Sequence, residues 1–299
     1  MAFALRPHVE LISVLDMSAT PVVLPGASAA VRQITLSASP DNKAVSAVID
    51  IPPAWQRERG TNPDTFVECY LLSGDLNVGG DLQLLPHHYF RTEIGAAAGP
   101  FTSVHGARVL VFTEGDLMAW EPISVAAPTI GEGIVHHDTN QMPWIDTFVP
   151  GPNVTSTGAQ LKLKLMYMDP RSKAYTFLIL AEAGWNDHRF AHHPVVEEAY
   201  TIRGHMTYNF GTLEVDTYFY RPPGIKHGHF DAFPDGTVWL IRSDGELENI
   251  YTSLEGEPGN WAYGTPREPV MTDHEHLVRS KRTGPWSGYG QHIPHPHDH

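Results

Sequence analysis

The stretch HHPVVEEAYTIRG, residues 192–204, places an imidazole and a carboxylate at the head of a β-like run that stops at a glycine. Its second half, EAYTIRG (198–204), has a counterpart 130 residues upstream in ECYLLSG (68–74). Sliding the whole chain by the same shift brings more residues into register without a gap. Lys43-Ala44 falls on Lys173-Ala174, Trp55 on Trp185, Tyr70 on Tyr200 and Arg91 on Arg221. Gly106 falls on Gly236, Gly115 on Gly245 and Leu117 on Leu247, while Pro40 on Pro170 extends the match upstream. A single shift that keeps Trp, Tyr and Gly indicates an internal duplication.

Each copy reads as β. SAVIDI (46–51) and TFLILA (176–181) are short and rich in branched or aromatic residues, and VLVF (109–112) and VWLI (238–241) run into the turns TEGD and SDGE. Strands at roughly 8–12-residue spacing, separated by Gly, Pro and Asp, indicate sandwiches or barrels. The expected class is therefore all-β, with two tandem domains. The expected boundaries are a first domain over residues 1–126, a Pro-, Gly-, Asn- and Thr-rich linker over 127–157 and a second domain over 158–267. A polar, His-rich tail over 268–299 ends in HIPHPHDH and is expected to be solvated.

Composition bounds the function. Of 299 residues, 41% are hydrophobic and 18% charged, enough for a sizeable core. The formal net charge of −14 repels phosphates, so neither nucleic acid nor a membrane surface is an expected partner. The single cysteine, Cys69, excludes an internal disulfide framework and sits in an expected strand as an inert thiol. No run approaches 18 apolar residues, and the opening MAFALRPHVE lacks the basic and apolar regions of a signal peptide. The expectation is a soluble, cytoplasmic protein. No G-x-S-x-G elbow or phosphate-binding loop occurs, and Gly131-x-Gly133 lacks the third glycine of a dinucleotide site.

The histidines carry the chemistry. A borderline divalent metal takes imidazole and carboxylate ligands and leaves positions open for substrate. His193 and Glu197 flank a short PVV connection, which can bring both side chains to one place. In RPPGIKHGHF (221–230), Pro222-Pro223-Gly224 forces a turn and His227 follows it.

These residues resemble the two motifs of the cupin superfamily. The first, G-x5-H-x-H-x3–4-E-x6-G, is matched in its second half by His193-x3-Glu197-x6-Gly204. The second, G-x5-P-x-G-x2-H, is matched from its proline onward by Pro222-x-Gly224-x2-His227. The resemblance implies a two-domain cupin of double-stranded, jelly-roll β-barrels, with one divalent metal held by His193, Glu197 and His227 in the carboxy-terminal barrel. The family's first histidine position is Ala191; His192 beside it and His188 three residues upstream are the candidates to replace it. The alternative is a three-ligand site of two histidines and one carboxylate. In the first copy the ligand positions hold Pro63, Val67 and Ala97, so that barrel is expected to be free of metal. Glu68, retained opposite Glu198, marks the second glutamate as structural, and the Arg91/Arg221 match is expected to form a strand-end salt bridge.

The HP-x-x-EE and PPG-x-x-H pattern is similar to cupins of the acetylacetone dioxygenase and anti-sigma-factor type. What this implies is an Fe(II) dioxygenase-type cleavage of a small chelating substrate, diketone-like or aromatic. The alternatives are a non-redox lyase, decarboxylase or isomerase using Zn(II), Mn(II) or Ni(II), or a metal-containing ligand-binding or sensor module. Phe177, Ile179, Phe219 and Trp239 are the candidate pocket liners, and His229 and Tyr220 the candidates to move a proton. A homodimer or higher homo-oligomer is expected, because sheet edges in such folds need cover.

Overall fold

The computed structural model describes residues 3–124, 133–147, 158–232 and 234–252. The expected tail over 268–299, residues 253–267 and much of the expected linker lie outside the described residues. The chain forms two compact units, nearly all β.

In the amino-terminal unit, one sheet runs Ile134–Asp138, His88–Thr92, Val67–Gly74, Ala107–Thr113, Val45–Ile51, Val31–Ala38 and Thr20–Val22. A second runs Trp55–Arg57, Phe101–Ser103, Leu76–Val78 and Leu82–Leu84. All pairings are antiparallel. Alternate residues point inward, and Ile49, Trp55, Leu71, Phe90 and Val109 meet in a common core.

The carboxy-terminal unit repeats the plan. Leu161–Met168, Tyr175–Ala181, Thr237–Ser243 and Glu197–Tyr208 lie side by side, and Thr217–Arg221 pairs with the first half of Glu197–Tyr208. That long strand then passes into a second group with Gly211–Glu214, His227–Asp231 and Asn186–His192. Its corner is Gly204, with φ 73°. A Cβ built there would stand 2.0 Å from the carbonyl oxygen of Gly236, so only glycine fits. Gly204→Ala should therefore destabilise this unit by about 3 kcal/mol or more, from combined overpacking and a left-handed backbone. Urea unfolding checks this; an unchanged midpoint would contradict it.

The duplication is visible at the level of irregularities. The register breaks between Thr35 and Ser37 in one unit and between Leu165 and Tyr167 in the other. It breaks again between Arg108 and Val109, opposite Ser73 and Leu71, and at the corresponding Thr201/Arg203, opposite Trp239 and Val238. Lys43 and Lys173 share a left-handed conformation, with φ 63° and 62°.

Two features depart from the sequence reading. First, the compact units do not follow the expected boundaries. Val9–Ser13, at the start of the chain, pairs with Thr217–Arg221 in the carboxy-terminal unit. Ile134–Asp138, inside the expected linker, pairs with His88–Thr92. Each covers an open sheet edge, a long-range need that local composition does not encode. Second, the Arg91/Arg221 match is out of step by one residue. Arg91 stands opposite Glu68, whereas Arg221 stands opposite Glu197 and Tyr220 opposite Glu198. Tyr89 donates to Glu68 and Tyr218 to Glu198, which fixes the true equivalence. A one-residue slip changes the face, so Arg221 points to the interior beside Glu197 while Arg91 does not share its role.

Candidate metal centre

Three expected residues converge. His193 follows the strand Asn186–His192, Glu197 opens Glu197–Tyr208 and His227 opens His227–Asp231. The Gly224 N–H donates to the His193 carbonyl at 2.9 Å, so the PPG turn is pinned against the first motif. All three side chains are buried, and one ligand atom from each lies within 4.8 Å of the others. His193 Nε2 is 3.8 Å and His227 Nε2 3.5 Å from the same Glu197 oxygen, Oε2.

The imidazoles are oriented from behind. His193 Nδ1 donates to the Glu248 carbonyl at 2.9 Å, and His227 Nδ1 to the Ile225 carbonyl at 3.0 Å. Each bond assigns the proton to Nδ1 and leaves the Nε2 lone pair facing the centre, the tautomer a metal requires. Burial, with Arg221 and His193 nearby, holds His227 well below the ordinary imidazole range, which favours its neutral form. Phe230 lies edge-on to His227, with ring centroids 5.8 Å apart, and stacks on Tyr208.

Behind Glu197, the salt bridge expected of Arg221 belongs to a larger charge network whose other members, Glu10, His8 and Tyr208, sequence reading missed. Arg221 donates from Nη1 to Glu197 Oε2 at 2.8 Å and from Nε and Nη2 to the two oxygens of Glu10, at 2.5 and 3.2 Å. Tyr208 donates to Glu10 Oε2, and His8 Nε2 lies 3.0 Å from Glu10 Oε1. Glu10 reaches inward through a bulge. Val9 and Ile12 pair with Tyr220 and Tyr218, so Glu10 and Leu11 together oppose Phe219, with Leu11 at φ 54°. Two carboxylates against one guanidinium leave a surplus negative charge beside two imidazole lone pairs. That donor set suits a divalent cation.

Over residues 10–250 the chain matches the family described as a domain of unknown function, DUF4437. The chain belongs to the DUF4437 family. No curated protein matches it. Among solved structures, it is similar to a protein of Nostoc punctiforme titled a "putative dioxygenase", with TM-score 0.67 and 18% identity, over 82% of this chain and 86% of that one. It is also similar to the oxalate decarboxylase of Lactobacillus farciminis in complex with formate, with TM-score 0.51 and 11% identity, over 83% and 90%. These neighbours have the cupin fold, and the DUF4437 chain shares it as two tandem barrels.

The remaining expected site residues of this DUF4437 chain lie in different places. Ala191 pairs directly with His227, so its methyl group occupies the face where the family's first histidine would stand. His192, its neighbour, is outside the three-residue cluster, and its Nδ1 is buried without a hydrogen-bond partner. His188 lies within the strand Asn186–His192, and its side chain is outside the described residues. His229, expected to move a proton, is outside the three-residue cluster, and the direction of Tyr220 is set by its strand register. Tyr220 opposes Glu198, and strand alternation sets it on the face away from Arg221 and Glu197. His229 has φ 58°, which breaks the alternation from His227. Its ring packs 6.1 Å from Phe190, the residue opposite Gly228 and so on the other face from Ala191. Of the expected liners, Phe177, Phe219 and Trp239 belong to the barrel core, with Ile179 packed against it. Phe177 also lines a cleft with Tyr175, Leu163 and Glu248, the last being the residue whose carbonyl holds His193. Phe219 supports the Arg221 guanidinium, 3.7 Å from its ring centroid. Phe230, Tyr208 and Glu10 were legible only as a β-type residue pattern, without a signal of their role.

Proposed function

We propose that this chain is a metal-dependent cupin enzyme whose metal, Fe(II) in the first instance, is held by His193, Glu197 and His227. The observation that supports this most strongly is the pair of Nδ1–H donations to backbone carbonyls. They aim both Nε2 lone pairs at one carboxylate oxygen. Bound there, a divalent iron supplies open positions for a chelating substrate and the redox chemistry of dioxygen.

The chain's own residues do the rest. Arg221 fixes Glu197 Oε2, and Glu10 fixes Arg221. Ala191, paired with His227 where a fourth ligand could stand, supplies no donor atom, so the fourth position is left to a substrate oxygen in this reading. Phe230 and Tyr208 wall the site with apolar surface and limit water. Two imidazoles and one carboxylate with open positions are the donor arrangement of many non-haem iron oxygenases. That favours oxidative carbon–carbon cleavage of a small diketone-like or aromatic substrate, in which both atoms of dioxygen end in the two fragments. The likeness to the Nostoc protein, described as a dioxygenase, agrees with this reading.

Anaerobic loading with Fe(II), followed by oxygen-electrode assays over β-diketones and dihydroxy-aromatics, tests it. The expected result is saturable oxygen uptake, one dioxygen per substrate consumed, lost in His227→Ala. Substrate loss without oxygen uptake, or tight binding of these compounds without turnover, would contradict the dioxygenase reading.

A further inference from the structure

The amino-terminal unit holds a partly open cavity of about 70 Å³ between its two sheets. Its wall is almost wholly carbon, contributed by residues such as Ile49, Leu76, Phe90 and Trp120. One charge enters it. Arg57, on the short strand Trp55–Arg57, is only 8% exposed. Its Nε donates to the Pro25 carbonyl at 3.0 Å and its guanidinium lies 4.2 Å above the Trp120 ring. Its Nη2 is buried with no partner.

This arginine differs from the other buried ones. Arg6 pairs with Glu114, Arg91 with Glu68 and Glu93, Arg221 with Glu10 and Glu197, and Arg242 with Glu198. Among the described residues, no carboxylate pairs with Arg57. Cys69 lines the same cavity, but burial raises its thiol to about 12, so it is no counter-ion at neutral pH. Burying a guanidinium costs several kcal/mol unless an opposite charge offsets it, and here burial pulls Arg57 down to about 10. An unpaired charge facing an apolar void is a poor core and a good receptor for an anion with an apolar body.

We propose that this cavity is a second ligand site, which takes a small apolar carboxylate: the carboxylate on the Arg57 guanidinium, its short branched chain among Ile49, Leu76 and Phe90. At roughly 10–15 Å³ per water-sized group, the space holds about five to seven such groups, which is the size of a branched four- or five-carbon carboxylate rather than an aromatic acid or a fatty acid. The site is independent of the metal centre.

Titration calorimetry of the full chain with 2-methylpropanoate and 3-methylbutanoate tests this, with 3-methylbutan-1-ol as the neutral control. Saturable binding of at least one carboxylate is expected, with the alcohol about tenfold weaker or more. Arg57→Met keeps an unbranched apolar stem and removes a buried unpaired charge, so it should fold; it should weaken the carboxylate about tenfold or more. Thermal shift reports folding of the variant separately. His227→Ala should bind the carboxylate as the parent does. No saturable binding of either carboxylate, equal binding by Arg57→Met, or binding lost only in His227→Ala would overturn the proposal.

Discussion

Replacing His227 with alanine should lower the affinity of the carboxy-terminal barrel for divalent metal by about 100-fold or more. Losing an outer residue that merely orients a ligand typically costs 10–100-fold, and His227 is proposed as a ligand itself. Its Nε2 is one of two imidazole donors within reach of Glu197 Oε2, and Ala191 beside it offers no replacement. His192 stands outside the cluster and is not placed to substitute. The metal content of the variant after dialysis against the free ion checks this. Glu197→Gln should behave alike, because it removes the one anionic donor while keeping its shape. Retention of metal by either variant at the parental affinity would place the ion elsewhere.

Removing Glu10 should be the most destabilising single change in the charge network. Glu10 is fully buried and holds Arg221 through two hydrogen bonds. Glu10→Ala leaves a buried guanidinium with Glu197 as its remaining carboxylate partner, and breaking such a pair costs about 3–5 kcal/mol. Urea unfolding should show the loss, and the double variant Glu10→Leu, Arg221→Met should recover much of it. A loss below about 1 kcal/mol, the range of exposed pairs, would contradict the account. The same pair sets an acid limit. Burial raises the Glu10 pKa, but Arg221 and His8 outweigh it and hold the group at about 2, below its ordinary 4.5. A carboxylate depressed in the folded state contributes stability that is full above 4.5 and is lost as pH falls towards 2. The carboxy-terminal unit should therefore weaken steeply across that window, and Glu10→Gln should flatten the slope.

Much of the fold was legible because duplication leaves marks that do not depend on distant contacts. Trp55/Trp185 and the Gly74/Gly204 corner repeat at one spacing, and the glycines are required by the close approach of Gly106 and Gly236. The three converging residues were legible for a related reason: His193 and Glu197 are joined by a short turn, and the PPG turn delivers His227 to them. What could not be read depends on pairing between distant strands. Nothing near Glu10 in the sequence indicates that its strand will join Thr217–Arg221. The one-residue slip at that strand leaves a sequence match, Arg91 with Arg221, whose two members do different things. The directions of Tyr220 and His229 were not legible, because side-chain direction in a strand turns on a single residue of register or one left-handed φ.

The most direct test of the central claim is an anomalous difference map from crystals of the chain loaded with Fe(II), collected at the iron edge. The account predicts one strong peak per chain, bonded to His193 Nε2, His227 Nε2 and Glu197. A map with no peak there, or with its peak within the amino-terminal barrel, would contradict it.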